Sequence, residues 1–279
     1  MKHLLCFGMG FSASALAASL DRTLWQITGT SRTDAGVEQI ASLGVTAIRF
    51  DQLKNIPPTV THIVTSVPPD SNGDPVLRLF VSQLAERANA LHWIAYLSTT
   101  GVYGDHAGGW VDEDTPLTPS TERGHKRLAA ETAWLNIGSL PIHIFRLAGI
   151  YGPGRNQLVS MRDGTARRII KPGQIFSRIH VEDIAGILRT SMAQPHPRRA
   201  YNCADDEPCP PQDVITHAAN LLQLPPPPEI PFAKADLSPM AKSFYAESKR
   251  VSNARVKREL GYTFKYRSYR DGLRALLDQ

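Results

Sequence analysis

Cysteine is scarce in this 279-residue chain, which contains only Cys6, Cys203 and Cys209. A sparse, odd set without a C-x-x-C pair argues against a disulfide framework and against structural zinc. We therefore expect three small core or loop residues in the reducing cytoplasm, and no metal site.

Long apolar runs are also lacking, because no stretch reaches the length that a bilayer span needs. The first twenty residues begin with Lys2 and an apolar stretch, as a secretory signal does, but Gly8 and Gly10 interrupt that stretch. These glycines fall where a strand would turn into a helix. We expect a folded segment here and no membrane partner.

A long basic run is the third absence. The formal net charge is +5, and 42% of the residues are hydrophobic and 20% charged, an ordinary globular composition. A basic balance suits an anionic ligand. Nucleic-acid footprints are clustered, whereas here the basic residues are scattered among acids, apart from short patches at 168–171 and 198–199. We expect an anionic small molecule as the partner and treat nucleic acid as the minor alternative.

Strand and helix patterns alternate through the first half of the chain. Apolar strands are predicted at 4–7, 25–28, 45–50, 62–67, 93–98 and 142–145, and helices at 13–20, 37–43, 76–88 and 122–135. Such alternation is typical of crossover units and a parallel sheet. The sequence predicts an α/β, Rossmann-type doubly wound parallel sheet, with ligands at the carboxyl ends of its strands.

The second half is less regular and is punctuated by proline and glycine. Residues 224–231 hold five prolines and are predicted to be extended; helices are predicted at 181–192, 213–222, 251–260 and 269–277. We expect residues 1–153 to form the dinucleotide-binding core, with 175–203 and 244–256 returning to it. Residues 154–279 should form a small irregular substrate region with closing helices.

A glycine-rich turn follows the first predicted strand. It reads Gly8-Met9-Gly10-Phe11-Ser12-Ala13, a G-x-G-x-x-A pattern at a strand–helix junction. The first glycine permits the tight turn, the second lets a pyrophosphate approach the backbone, and the small third residue lets helix and strand pack. The motif predicts a dinucleotide site; a merely structural turn is the alternative.

The end of the second strand indicates which dinucleotide is bound. An acid there would accept from the ribose 2′-hydroxyl of NAD, but the chain reads Ser31-Arg32-Thr33 before Asp34. Ser31 and Arg32 can instead hold a 2′-phosphate. We therefore prefer NADP, with NAD as the alternative, unless Arg32 is a solvated loop residue.

Two further strand ends should border the same ligand. Ser66, Val67 and Pro68 end the fourth strand and are expected to line the cofactor. Asp51 follows the third strand, and we expect it either to reach the adenine amine or to be a simple turn acid.

The fifth strand and the residues after it carry a recognisable pattern. Residues 97–105 read LSTTGVYGD, and further landmarks follow at 112–116 (DEDTP), 127–131 (RLAAE), 146–155 (RLAGIYGPGR), 180–183 (HVED), 201–202 (YN) and 259–262 (ELGY). Together these segments resemble the extended short-chain dehydrogenase/reductase family, in its NAD-dependent epimerase/dehydratase group, over nearly the whole chain.

The resemblance implies a catalytic Tyr and Lys four residues apart on the helix at 122–135. A Lys cation there lowers the pKa of the Tyr, so that the phenol can exchange a proton while hydride moves. In this chain the two positions hold Arg123 and Arg127, and arginine stays protonated. The chain thus resembles the atypical branch of the family, which often lacks the pair.

Other residues of the implied site are retained. Thr99 matches the Ser/Thr whose hydroxyl orients a substrate carbonyl or hydroxyl, and Arg127 is expected to bond the cofactor ribose. Arg123 is expected either to clamp a substrate carboxylate or phosphate or to be a solvated residue on the helix face. Tyr103 and His180 are better interpreted as a structural loop residue and a hydrogen-bonding residue. The resemblance also implies a homodimer through the helices at 76–88 and 122–135.

Two functions remain open from the sequence. The preferred one is an NADP-dependent oxidoreductase or epimerase acting on a sugar-like or nucleotide-linked substrate. The alternative is a non-catalytic NADP(H)-binding sensor or regulator, which the missing Tyr/Lys pair favours.

Overall fold

Thirteen strands and ten α-helices make up the computed structural model, which describes residues 1–277. The strands are β1 (Lys2–Phe7), β2 (Trp25–Ser31), β3 (Thr46–Arg49), β4 (His62–Thr65), β5 (Trp93–Thr99), β6 (Trp110–Val111), β7 (Ile142–Leu147), β8 (Gly149–Tyr151), β9 (Arg168–Ile170), β10 (Arg178–His180), β11 (Ala200–Cys203), β12 (Glu229–Pro231) and β13 (Arg250–Val251). The helices are α1 (Phe11–Ala18), α2 (Asp34–Ser42), α3 (Pro75–Glu86), α4 (Glu122–Leu135), α5 (Gln157–Arg162), α6 (Val181–Ala193), α7 (Pro211–Leu221), α8 (Pro239–Tyr245), α9 (Ala254–Leu260) and α10 (Tyr269–Ala275).

Seven strands form one sheet in the order β11-β7-β5-β4-β1-β2-β3. The β1/β2, β2/β3, β1/β4 and β4/β5 pairs are all parallel. After β3 the chain returns to the other side of β1, so the strand order reverses there, and ligands bind outside the carboxyl ends of the strands at such a switch point. The predicted Rossmann-type doubly wound sheet is confirmed.

The described chain divides into two compact units. The first holds residues 1–99, 125–146 and 184–201, and the second holds 100–124, 147–183 and 202–277. Residues 100–124 and 244–256 both belong to the second unit. The predicted division into a dinucleotide-binding core at 1–153 and a substrate region at 154–279 concerns function and stays a prediction. Each unit is assembled from segments far apart in sequence, which a boundary drawn between successive motifs does not capture.

The core of the first unit lies between the sheet and the helices α3 and α4. Phe80 and Leu84 of α3 and Trp134 of α4 are buried with sheet residues such as Ile63 and Ile94. Each such side chain contributes about 1.5–3 kcal/mol by leaving water. Most apolar residues of the two helices are therefore used within this unit.

Part of α3 nevertheless carries apolar side chains that face outward. Leu79 is 54% exposed and Val81 is 42% exposed. The predicted dimer through α3 and α4 stays a prediction. The exposed large apolar side chains available for it on α3 are limited to these two.

The second unit is built from short strand pairs and a small apolar cluster. The pairs are β8/β10, β9/β12 and β6/β13, each two or three residues long. A buried cluster includes Tyr151, Val214 and Leu273. The carboxylate of Asp183 accepts from Tyr262 Oη at 2.8 Å and from the Lys265 amide at 2.7 Å. These hydrogen bonds tie the first turn of α6 to the segment that follows α9.

Two predicted elements of the second half differ in detail. The proline-rich segment is extended as predicted, but its last three residues pair with β9 as strand β12. The helix predicted from residue 251 begins at Ala254, because Arg250 and Val251 pair with β6 instead.

All three cysteines are buried free thiols. Within residues 1–277 no helix combines the length and the apolar character needed to cross a membrane.

Candidate functional site

The turn between β1 and α1 is held by its neighbours in a conformation that suits glycine. Gly8 has φ +74°, its amide donates to Thr30 Oγ1 at 2.9 Å, and the Met9 amide donates to Thr30 O at 2.9 Å. Ser66 Oγ donates to Gly8 O. A Cβ on Gly8 would lie 3.1 Å from Val67 Cγ2, which is tighter than ordinary contact. Both the dihedral angle and the close approach therefore require glycine.

Gly10 leaves open space in front of α1. It caps the helix in an extended conformation without a side-chain hydrogen bond, and a Cβ built on it would meet no heavy atom within 4 Å. The first turn of α1 carries no acid, and Ser12 and Ala13 are buried. A helix N-terminus with its partial positive charge and space before it fits a diphosphate.

The predicted residues at the end of β4 lie at this turn. Ser66 is bonded to Gly8, as described, and Val67 is buried beside it with 9% exposure. Pro68 is exposed. Ser66 and Val67 thus shape the glycine turn, one of them through its hydroxyl and the other through its methyl groups.

The end of β2 places Ser31 and Arg32 beside α2. Ser31 is half-buried and Arg32 is exposed. A Cβ on Gly36 would lie 2.1 Å from Ser31 Oγ, so glycine is needed for α2 to begin this close to the strand. The first unit thus presents a hydroxyl and a cation in the turn where a dinucleotide's ribose is expected.

Arg49 is a basic residue at this edge that the sequence analysis missed. It ends β3, and Ser31 is its register partner in β2. Its guanidinium lies 3.0 Å from Asp34 Oδ1 and 2.8 Å from Asp51 Oδ2. The sequence contains a signal for Arg49, because it lies near the end of the predicted third strand, and neighbouring strands of a doubly wound sheet bring their last residues together.

Asp51, predicted to reach adenine or to be a turn acid, has a definite partner. Both of its carboxylate oxygens accept from Arg49, at 3.0 and 2.8 Å. The hydrogen bonds from Arg49 lower the pKa of this exposed carboxyl. Its carboxylate therefore binds a cation of the protein itself.

Thr99 and Arg127 both lie in the first unit. Thr99 is the last residue of β5 and is half-buried. Arg127, near the middle of α4, donates from Nη1 to Tyr96 Oη at 3.1 Å and to Leu97 O at 3.0 Å. Its guanidinium also lies 5.6 Å from the centre of the Tyr96 ring. The residue in the position of the family's lysine is thus bound to β5.

Tyr96 is the phenol nearest to this cation in the described contacts. It is fully buried, and burial raises its pKa to about 12, although the nearby Arg127 charge opposes the shift. A catalytic tyrosine needs the opposite shift, so this phenol remains protonated at neutral pH.

Arg123 lies in the second unit, where its guanidinium is 5.6 Å from the centre of the Phe244 ring. Both side chains are exposed. The contact is a cation–π interaction at the surface, and a guanidinium can bind a carboxylate or phosphate through two parallel hydrogen bonds.

Tyr103 and His180, also in the second unit, occupy packed positions. Tyr103 is fully buried and its hydroxyl donates to Asn202 Oδ1 at 2.8 Å. His180 Nδ1 accepts from the Glu182 amide at 3.2 Å, and its ring lies 4.1 Å from that of Tyr266. Burial lowers the pKa of His180 to about 4, so it is neutral at pH 7. These contacts agree with the structural roles preferred for both residues.

Comparison with known proteins gives a close relative and several proteins of the same fold. The chain is 53% identical to a conserved protein of unknown function from Silicibacter pomeroyi DSS, with 100% of this chain and 99% of that one covered and a TM-score of 0.95. Protein YeeZ of Escherichia coli K12 is 28% identical, over 95% of this chain and 97% of its own length.

The structure of human epimerase family protein SDR39U1, solved with NADPH, has a TM-score of 0.79 and covers 99% of each chain at 19% identity. At that identity the likeness shows the fold, which is shared with epimerase/dehydratase-type short-chain dehydrogenase/reductases. No model of a protein family matches the chain.

Proposed function

We propose that this chain binds NADP(H) at the turn between β1 and α1. It then acts as an oxidoreductase or epimerase on a sugar-like or nucleotide-linked substrate. The premise is that it belongs to one family with the conserved Silicibacter pomeroyi protein and has the epimerase/dehydratase fold.

The observation that carries the proposal is the space before α1. Gly10 is solvent-exposed, a Cβ there would meet no heavy atom within 4 Å, and the helix has no side-chain cap. Open space alone is found at other exposed glycines such as Gly138, but here it lies directly in front of a helix N-terminus at a strand–helix junction. A diphosphate would fill it and accept from the first-turn amides.

NADP is preferred over NAD because of the charges at the end of β2. β2 ends at Ser31 and Arg32 follows it, so no carboxylate stands at the end of the strand to accept from a 2′-hydroxyl. Arg32 is exposed and can donate to a 2′-phosphate through charge-assisted hydrogen bonds.

The roles of the remaining site residues follow from their chemistry. A bound nicotinamide supplies or accepts hydride. We assign the Thr99 hydroxyl to orienting the reacting carbonyl or alcohol, and Arg123 to holding an anionic group of the substrate. Arg127 Nη1 is bonded to β5, so we assign this residue mainly to holding α4 on that strand. The expected bond to the cofactor ribose would use its other nitrogens and is the weaker part of its role.

A second candidate function is an NADP(H)-binding sensor without turnover. Arginines at both positions of the expected Tyr/Lys pair favour it, because neither can take up and release a proton at neutral pH. Incubation of stereospecifically deuterated NADPH with a panel of sugar and nucleotide-sugar carbonyls tests for an oxidoreductase, and incubation of the corresponding alcohols with NADP⁺ tests for an epimerase. Label in a product or formation of an epimer supports the enzyme, and the absence of both supports the sensor.

The test of the binding proposal is a titration with NADPH and NADH, followed by nicotinamide fluorescence, for the wild type and Arg32→Ala. We expect tighter binding of NADPH, with a loss of about 10-fold in the variant, the value of one charged hydrogen bond. Binding of neither dinucleotide would contradict the proposal.

The outward apolar residues of α3 bear on the oligomeric state. We propose that Leu79 and Val81, exposed in the single chain, belong to a homodimer interface that includes α3 and α4. Light scattering after size exclusion should give twice the chain mass, and a monomer for Val81→Glu.

A further inference from the structure

Arg49 is placed at the edge of the sheet where the dinucleotide ribose is expected. It is the register partner of Ser31, and the Phe50 amide donates to Ser31 O at 2.8 Å. The ends of β2 and β3 are therefore fixed side by side by backbone hydrogen bonds, and Arg49 begins one strand spacing away from Ser31.

The side chain of Arg49 extends toward the β2–α2 turn. Nη1 binds Asp34, the first residue of α2, at 3.0 Å, while Nε and Nη2 bind Asp51 at 3.0 and 2.8 Å. Asp34 is only two residues beyond Arg32. The two carboxylates thus hold the guanidinium beside the turn that carries Arg32.

The carboxylates hold Arg49 but do not bury it. The side chains of Arg49, Asp34 and Asp51 are 30%, 78% and 64% exposed. Ion pairs this exposed are weak, because water and salt screen the two charges. A phosphate dianion that accepts two parallel hydrogen bonds from a guanidinium is a stronger partner.

We propose that Arg49 is a second ligand of the ribose 2′-phosphate, beside Arg32, and that this phosphate displaces the Asp51 carboxylate from Arg49. The inference rests on the proposed NADP(H) site. Asp34 keeps the guanidinium over the turn, whereas Asp51 competes with the phosphate for it. The charge of Asp51 therefore sets how strongly the site discriminates NADP from NAD.

The competing explanation is that Arg49 only ties α2 to β3. In that case replacing it would lower the stability and weaken both dinucleotides alike. A 2′-phosphate ligand differs in a measurable way, because its loss changes the ratio of the two dissociation constants.

The experiment measures Kd for NADPH and NADH, and thermal unfolding, in the wild type, Arg49→Gln, Arg49→Lys and Asp51→Asn. Arg78→Gln is the matched control, since Arg78 forms a similarly exposed pair with Asp70 at 3.0 Å in the same unit. We expect the preference for NADPH to fall about 10-fold in Arg49→Gln. The fall should be smaller in Arg49→Lys, which keeps the charge but loses the two parallel N–H donors of the guanidinium.

Asp51→Asn should have the opposite effect. The preference for NADPH over NADH should rise about 2- to 3-fold, because the competing ion pair with Arg49 is lost. An unchanged ratio in both Arg49 variants, or an equal loss for both dinucleotides, would overturn the inference while leaving the NADP(H) site intact. If the wild type binds neither dinucleotide, the proposed function itself fails, and the inference with it.

Discussion

The turn after β1 and the middle of α4 supply the two parts of one expected site, yet they are built in opposite ways. At the turn, Gly8 and Gly10 contribute backbone and open space, and the neighbouring side chains hold that shape. On α4, Arg127 and Glu131 have partners within the protein itself, in β5 and β7. The difference supports the proposal of a ligand at the turn, whereas the charged side chains on this face of α4 are bonded to the sheet.

The largest effect should come from the buried pair of Glu131 and Arg146. Their charged groups lie 2.9 Å apart, with 2% and 6% of the side chains exposed. Glu131→Ala leaves the arginine buried without its carboxylate, so the free energy of unfolding should fall by about 3–5 kcal/mol. Denaturant unfolding measures this.

Glu86→Ala, at an exposed position on α3, is the control and should stay within about 0.5 kcal/mol of the wild type. A loss below about 1 kcal/mol in Glu131→Ala would mean that this face of α4 does not depend on the pair.

The next effect should appear in binding rather than stability. Gly10→Val fits the extended backbone at this position, and its Cβ would meet no heavy atom within 4 Å, but its side chain occupies the space proposed for the diphosphate. We expect NADPH affinity to fall at least about 100-fold, because close backbone approach is what this glycine provides.

Gly138→Val matches this change at another exposed site in the same unit with no neighbour within 4 Å. It should bind NADPH as the wild type does. Normal binding by Gly10→Val would remove the contrast between the turn and α4.

The sequence predicts the glycine turn better than it predicts the contacts of α4. The glycine turn was predicted because its function depends on backbone conformation, for which Gly8 and Gly10 at a strand–helix junction are direct signals. The bounds of α4 were also predicted correctly, as Glu122–Leu135. Arg127 could be located on that helix, but its hydrogen bonds to Tyr96 and Leu97 depend on which strand lies beneath it.

Arg49 shows why some site residues were missed. Its importance comes from the pairing of β3 with β2, which places it beside Ser31, eighteen residues earlier in the chain. Sequence-based prediction is harder still in the second unit, because strands of two or three residues such as β13 are defined by partners far away in sequence. A local pattern of apolar residues carries no information about such pairing.

A smaller effect should follow replacement of Arg127. Arg127→Met keeps much of the side-chain volume but loses the hydrogen bonds to Tyr96 Oη and Leu97 O. We expect the free energy of unfolding to fall by about 1–2 kcal/mol and NADPH affinity to change less than about threefold. The opposite pattern, intact stability with a tenfold loss of NADPH binding, would show that Arg127 acts on the cofactor and would bring α4 into the binding site.

The smallest effect is spectroscopic and concerns the phenol beneath Arg127. Burial disfavours the charged phenolate of Tyr96, and its pKa is raised to about 12. The difference in tyrosinate absorbance between the wild type and Tyr96→Phe should therefore appear only well above pH 10, the usual value for tyrosine. Ionisation of Tyr96 below pH 10 would mean that the Arg127 charge prevails over burial and that this phenol is available for proton transfer.

Direct titration of the wild-type protein with NADPH, by calorimetry, tests the central claim of a dinucleotide site at the β1–α1 turn. The account predicts saturable binding of one NADPH per chain, tighter than that of NADH, and abolished in Gly10→Val. The account would be contradicted if the binding heats showed no saturation with either dinucleotide while the same protein sample unfolded cooperatively on heating.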